Sequence, residues 1–386
     1  MTRRIVVVER MWRNVIVYPF LRLIFKNPQV SLPIDLGNIS SLLILRYDKI
    51  GDMIVTLPIF RMLKSHNPRL RIGVVASEAN ADLLRDEKYV DKVFVLWQNP
   101  FRLLKEFHSI RKSHPDIVLN FVFNRITSGG LIANLLCRDS VKVGQGPQKY
   151  GFYFNALLSL PRGTIHMFEM LMMYIEQVFG MKVSEKERHL ELRANPSTDS
   201  EVDQYLERHG LKRRVDKPLA NGRFYVVFNI SAGQDDNRIS NEQSLSIARL
   251  LAVEMRIATV IISSPQDVDW RSRIVAEIHS EQCLSFPDAG SSSLRGVSSL
   301  IRGALAVITP HTSIVHIAAA TSTPVCGIFS PLQVNQEWLP FRVKYQFIEA
   351  GKGERVSMIP IPTLKRESRE FLEYILQDGD LKQSLR

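Results

Sequence analysis

No stretch of eighteen or more uncharged apolar residues occurs in the sequence, which argues against a membrane-spanning helix. Cysteine is scarce: Cys137, Cys283 and Cys326 are far apart and form neither a CxxC pair nor a metal-ligand cluster. So few, and an odd number, fit a reducing compartment, and a cytoplasmic setting is expected. No GxGxxG follows any strand-like run, so nothing supports a nicotinamide dinucleotide. Zinc-finger spacing, an RNP-like aromatic signature and a basic helix over a heptad zipper are all lacking, which argues against nucleic acid. The start of the chain does not read as a signal peptide. Charges interrupt its apolar stretch, and no small-residue cleavage site follows.

What is present is a chain of 386 residues with 45% hydrophobic residues, enough for two ordinary domains. Its formal charge of +11 and pI near 9.6 favour anionic partners, either an anionic membrane face or a phosphorylated ligand. Residues 3–28, "RRIVVVERMWRNVIVYPFLRLIFKNP", set Arg3, Arg4, Arg10, Arg13, Arg22 and Lys26 against Glu9 and interleave them with Trp12, Tyr18, Phe20 and Phe25. That composition suits an interfacial segment in contact with lipid headgroups, through residues 1–30. A helix packed on the domain, with its charges in water, explains it equally well. Pro19 is expected to interrupt any single helix here.

From residue 41 short Val/Ile/Leu runs alternate with amphipathic stretches of ten to fifteen residues. Strands are expected at "SLLILRY", "RIGVVAS", "VDKVFVLW" and "DIVLNF", with helices over 52–66, 78–87 and 100–113 between them. Residues 140–220 are less regular, and the Met-rich "HMFEMLMMYIEQVFG" reads as a core helix. The alternation restarts at "RFYVVFNI" and continues through "IATVIISS", "LAVITP" and "PVCGIFS". This predicts an α/β protein of two doubly wound parallel sheets, whose ligands lie beyond the carboxyl ends of the strands. A linker is expected near 211–221, and a final helix in "TLKRESREFLEYILQ".

Three loops at such carboxyl ends can carry chemistry. In the first, Tyr47–Asp52, Gly51 lets a substrate come close and Asp52 can serve as a general base, with Arg46 and Lys49 beside it to hold phosphates. A helix-capping Asp after a turn is the competing explanation. In the second, "ITPHTSIVHIAAATSTPVCGIFSP", a helix starts near Thr312–Ser313, and its amide groups suit a diphosphate. His316 falls one turn later on the Thr312 face, as a phosphate donor or as a packed residue. In the third, "NISAGQDDNR", Ser231, Gly233 and Arg238 either cup a phosphate or sugar or form a plain polar turn.

Together these loops resemble glycosyltransferase family 9, the ADP-heptose:lipopolysaccharide heptosyltransferases, over about residues 41–340. "ILRYDKIGDMIVTLPIFRMLKSHNP" matches the family's opening pattern of strand, Ile-Gly-Asp, apolar triplet and Leu-Pro. "ITPHTSIVHIAAATSTPVCGIFSP" is similar to its Asp-Thr-Gly-x-x-His pattern. The resemblance implies a GT-B fold, two Rossmann-like domains facing each other across a cleft. An extension, 1–40, is followed by an acceptor-side domain, 41–210, and a donor-binding domain, 222–350. The tail, 351–386, packs back on the first domain.

The resemblance further implies an inverting, metal-independent transfer of a heptose-like sugar, with no cofactor and with ADP-heptose as donor. The acceptor is lipopolysaccharide core or a similar anionic glycolipid at the inner face of the cytoplasmic membrane. Asp52 becomes the catalytic base, with Arg46, Lys49 and Gly51 on the acceptor side. Ser231, Gly233, Arg238, His311, Thr312, Ser313, Ile314 and His316 serve the donor. Three departures stand out: His311 and Ser313 replace the family's Asp and Gly, and Asn237 stands where it usually has Lys, beside Arg238. They motivate a second reading, a nucleotide-sugar-binding scaffold without turnover. A third is another GT-B activity, such as a sugar epimerase.

Overall fold

Two six-stranded parallel sheets organise the chain. The computed structural model describes residues 13–214, 222–330 and 336–377. The first sheet comprises β1 (Ser41–Leu45), β2 (Arg71–Ser77), β3 (Lys92–Leu96), β4 (Ile117–Asn120), β5 (Val141–Gln145) and β6 (Ala156–Leu158), in the order β3-β2-β1-β4-β5-β6. The second comprises β7 (Tyr225–Asn229), β8 (Ala258–Ile262), β9 (Cys283–Ser285), β10 (Val307–Pro310), β11 (Val325–Phe329) and β12 (Tyr345–Glu349), in the order β12-β11-β10-β7-β8-β9. Read from its own first strand, the second sheet repeats the order of the first. In each, the winding reverses beside the central strand, at β1/β4 and at β7/β10. Every residue of β1, β4, β7, β8, β10 and β11 is buried. Their unbroken aliphatic runs therefore need cover on both faces, which helices supply.

The helices of the first unit are α1 (Tyr18–Ile24), α2 (Ile50–Ile54), α3 (Leu57–His66), α4 (Pro100–Ser113), α5 (Ile126–Leu136) and α6 (Met167–Phe179). Pro19 lies in the first turn of α1, directly after a π-helical turn at Arg13–Val17, so the helical path changes type next to the proline and no single regular helix runs through it. The stretch 52–66 is two helices, broken at Val55–Thr56, with Pro58 in the first turn of α3. The helix expected over 78–87 is only a 3-10 turn, Ala81–Leu84. The Met-rich helix α6 is core, as expected: Met167, Met170, Met172, Tyr174 and Ile175 are all buried.

The second unit contains α7 (Pro196–Arg208), α8 (Asn241–Arg249), α9 (Val268–Ile278), α10 (Leu294–Gly303), α11 (Ser313–Ala320) and α12 (Ile361–Gln377). Two expectations change here. The first unit runs to Arg162 and includes Phe168–Arg188, while the second takes Gly163–Met167 and everything from His189. The crossover thus falls at Arg188/His189, not in 211–221, because α7 packs on α10 and Tyr205 Oη donates to the Ser285 carbonyl at 2.9 Å. The tail helix α12 was expected on the first domain. Its Leu364, Phe371, Leu372 and Ile375 instead belong to the core of the second unit, with Val226, Phe228, Ile308 and Ile328. Burying those four side chains contributes on the order of 6–12 kcal/mol, at about 1.5–3 each. Among the described residues no helix is long and apolar enough to cross a membrane.

Candidate active site

In the first unit β1 ends at Leu45, and the next seven residues reverse into α2 at the carboxyl edge of the sheet. Arg46 is fully buried there. Its Nε donates to the Asp52 carbonyl at 2.9 Å and to Thr56 Oγ1 at 3.0 Å, and its Nη1 donates to the Phe121 carbonyl. Nη1 also reaches Asp48 Oδ2, and Nη2 reaches Asp52 Oδ1, each at 3.3 Å. Asn80 Nδ2 holds the Arg46 carbonyl at 3.0 Å. Arg46 was expected on the acceptor side, holding phosphates; its guanidinium is instead buried against its own loop and the Phe121 carbonyl. Lys49 is exposed beside it, and Gly51 is buried.

Asp52 is 6% exposed. Its Oδ2 accepts the Lys49 N–H at 3.3 Å, which is the helix-capping contact, while Oδ1 faces Arg46. Capping and catalysis were competing explanations of this residue, yet one carboxylate can do both. The cap and the guanidinium fix its plane at the edge where ligands of wound sheets bind. Asp48 is the residue that sequence reasoning passed over. Burial pushes its carboxyl up to about 6, with the charge of Asp52 adding to the rise and Arg46 opposing it. Asp48 Oδ1 is buried and has no hydrogen-bond partner among the described residues.

In the second unit the ends of β7 and β10 are stitched together by Asn229. Its Nδ2 donates to the Ser231 carbonyl at 3.0 Å and to Thr309 Oγ1 at 2.9 Å, and Thr312 Oγ1 lies at 3.4 Å. Asn229 is 3% exposed and was also missed; its one signal was an amide at the last position of an aliphatic strand. Thr312 caps α11, accepting the Ile314 N–H at 3.2 Å, so that amide already has a side-chain partner. His311, Thr312 and Ser313 are partly open. The His311 ring stacks on Phe329 at 4.4 Å between centroids. His316 is 5% exposed with its ring edge-on to Trp338, the environment of a packed residue.

The 229–238 loop lies at the same edge. Ser231 is buried, accepting the Ser264 N–H at 2.8 Å, and Gly233 is exposed. Arg238 pairs with Asp267 at 2.8 Å and keeps 41% of its side chain exposed. Burial pushes the Asp267 carboxyl up, but hydrogen bonds from Ser231, Arg238 and Ser264 outweigh it and hold the group below its ordinary value. Asn237 is buried beside it at 2% exposure. The open cation of this loop is thus Arg238, and nothing at Asn237 replaces it.

The sequence profile of glycosyltransferase family 9 (heptosyltransferase) matches residues 136–355, more than half of the chain. The chain belongs to glycosyltransferase family 9. No curated protein matches it in sequence. Among solved structures it is similar to a family 9 glycosyl transferase from Veillonella parvula DSM 2008, at a TM-score of 0.73 and 16% identity over 90% of this chain and 99% of that one. E. coli ADP-heptose lps heptosyltransferase II matches at 0.64 and 20% identity, over 86% and 99%. E. coli heptosyltransferase WaaC with ADP matches at 0.66 and 16%, over 88% and 100%. At these identities the structures establish the GT-B fold, and family membership makes the chain a glycosyltransferase. The profile covers both loops of the second unit but begins after Asp52.

Proposed function

We propose that the chain is an inverting, metal-independent glycosyltransferase. It moves a heptose-like sugar from a nucleotide-diphosphate donor, ADP-heptose, to a lipopolysaccharide-core or similar anionic glycolipid at the inner face of the cytoplasmic membrane. The observation that carries this reading is the Asp52 carboxylate, fixed by Arg46 and the Lys49 amide at the carboxyl edge of the first sheet. In the proposed step an acceptor hydroxyl attacks the anomeric carbon and passes its proton to Asp52, while the bond to the diphosphate oxygen breaks. Negative charge then grows on the leaving diphosphate. The amino end of α11 and the open guanidinium of Arg238 oppose that charge, with no metal needed for the purpose. Binding of ADP by the structurally similar WaaC supports an adenine nucleotide as leaving group.

The test is calorimetric titration with ADP-, GDP- and UDP-sugars, followed by turnover with the donor that binds. Selective binding of an ADP-sugar and its transfer to a glycolipid support the proposal; binding of a GDP- or UDP-sugar alone overturns the donor. The scaffold reading is favoured by two observations, the Arg238–Asp267 pair and the buried amide at Asn237. It predicts donor binding without transfer to any lipid-linked acceptor.

A further inference from the structure

The amino-terminal helix carries an apolar face that the first unit does not cover. Its inner face is docked: Tyr18 is buried, shares a hydrogen bond with Thr127 Oγ1 at 3.0 Å and meets the rings of Tyr150 and Phe152 at 5.8 Å. Phe25 lies against Tyr153, and Asn27 Nδ2 donates to Asn134 Oδ1 and the Phe152 carbonyl. On the outer face Val15 is 69% exposed, Ile16 55%, Phe20 60%, Leu23 77% and Ile24 49%. Positions 16, 20, 23 and 24 recur at the three- and four-residue spacing of one helical face. A docked helix whose outer stripe stays aliphatic and aromatic is an interaction site.

The charge around the stripe says what covers it. No acidic residue occurs between Glu9 and Asp35, whereas Arg10, Arg13, Arg22 and Lys26 all do. Arg22 and Lys26 are exposed, and Arg22 Nη2 donates to the carbonyl of the exposed Lys149 at 3.4 Å. Two copies meeting face to face would bring these like charges together, which disfavours self-association. An anionic bilayer offers both what the stripe lacks, acyl chains, and what its rim attracts, negative headgroups. We propose that the outer face of α1 and the π-helical turn before it, Val15, Ile16, Phe20, Leu23 and Ile24 with Arg22, Lys26 and Lys149 at its rim, docks on an anionic lipid surface. This rests on the lipid-linked acceptor proposed above for its purpose, and it assigns that contact to a helix preceding the region of family resemblance.

The test is co-sedimentation of the full chain with phosphatidylglycerol/phosphatidylcholine vesicles, against phosphatidylcholine alone. The parent should bind the anionic vesicles. Phe20→Glu with Leu23→Glu should weaken binding by about ten-fold or more, since both apolar anchors are lost. Arg22→Gln with Lys26→Gln should weaken it by roughly five-fold per charge. All the substituted side chains are exposed, so melting temperatures should stay at the parent value, and a melt checks this. Failure of the parent to bind, or binding by both variants at the parent level, overturns the proposal. So does a parent dimer in light scattering that Phe20→Glu with Leu23→Glu converts to monomer, because a second copy then covers the face. The assay uses no sugar donor, so vesicle binding without turnover would fault the proposed reaction and leave this surface standing.

Discussion

Arg46 Nη2 and Asp52 Oδ1 lie 3.3 Å apart, and the same guanidinium spans to Asp48 at 3.3 Å on its other arm. One buried cation thus sets the positions of two carboxylates at the end of β1. Replacing Asp52 by Ala should leave donor affinity near the parent value and lower kcat by about 10²-fold or more, the usual contribution of a general base. Steady-state kinetics beside calorimetry separates the two quantities. Near-parental kcat would remove Asp52 from the proposed mechanism.

Arg46→Met should destabilise the first unit by about 3–5 kcal/mol, because two buried carboxylates lose their cation together. Arg46→Lys should not restore stability. A single ammonium cannot reproduce the fork that reaches Asp48, Asp52, Thr56 and the Phe121 carbonyl at once. Urea melts of the three proteins decide this, and a parental midpoint for Arg46→Lys would contradict it.

Asp48 predicts a pH dependence. Its carboxyl is raised from the ordinary 3.8 to about 6, so between those values the folded chain holds a proton that the unfolded chain has lost. Stability must therefore fall as pH rises through that window, and the cost is fully present above it. A rise of about 2 units corresponds to roughly 3 kcal/mol. Asp48→Asn should be more stable than the parent by up to that amount above pH 7, with the advantage fading towards pH 4. Chemical melts across the range, showing a gain that does not vary with pH, would refute this origin.

Asn229→Ala should cost about 1–3 kcal/mol, since the Ser231 carbonyl and Thr309 hydroxyl lose a buried donor. It should also weaken donor binding, because the β7 and β10 loops lose their shared bridge. Unchanged calorimetric affinity for the donor would place the site elsewhere.

The fold was largely legible because its central strands are short aliphatic runs separated by amphipathic helices. The strands that escaped notice are the atypical ones. β5 reads VKVGQ, and its Lys142 is buried only because Nζ reaches the carbonyls of Arg138 and Ser140. β6 and β9 have three residues each, and β12 is an edge strand in which only Ile348 is buried. The site was legible in part. Asp52 and Thr312 stand where a strand hands over to a helix, and such positions announce themselves. The role of Arg46 did not, because its deciding partner, the Phe121 carbonyl, lies seventy-five residues away in sequence. Nothing local distinguishes a cation facing a ligand from one closing its own loop.

The chain crosses between its units three times, which bears on recombination. The path enters the second unit at Gly163, leaves at Phe168 and re-enters at His189, so neither unit is one continuous segment. A chimaera with a family relative, joined in 211–221, would carry α7 on the wrong parent and set a foreign Tyr205 equivalent against Ser285 and Phe286. Joined instead at Arg188/His189, it would keep α7 with its own sheet and leave only the short Gly163–Met167 passage to be matched. Exchange of donor preference by grafting should therefore succeed at the second junction and fail at the first.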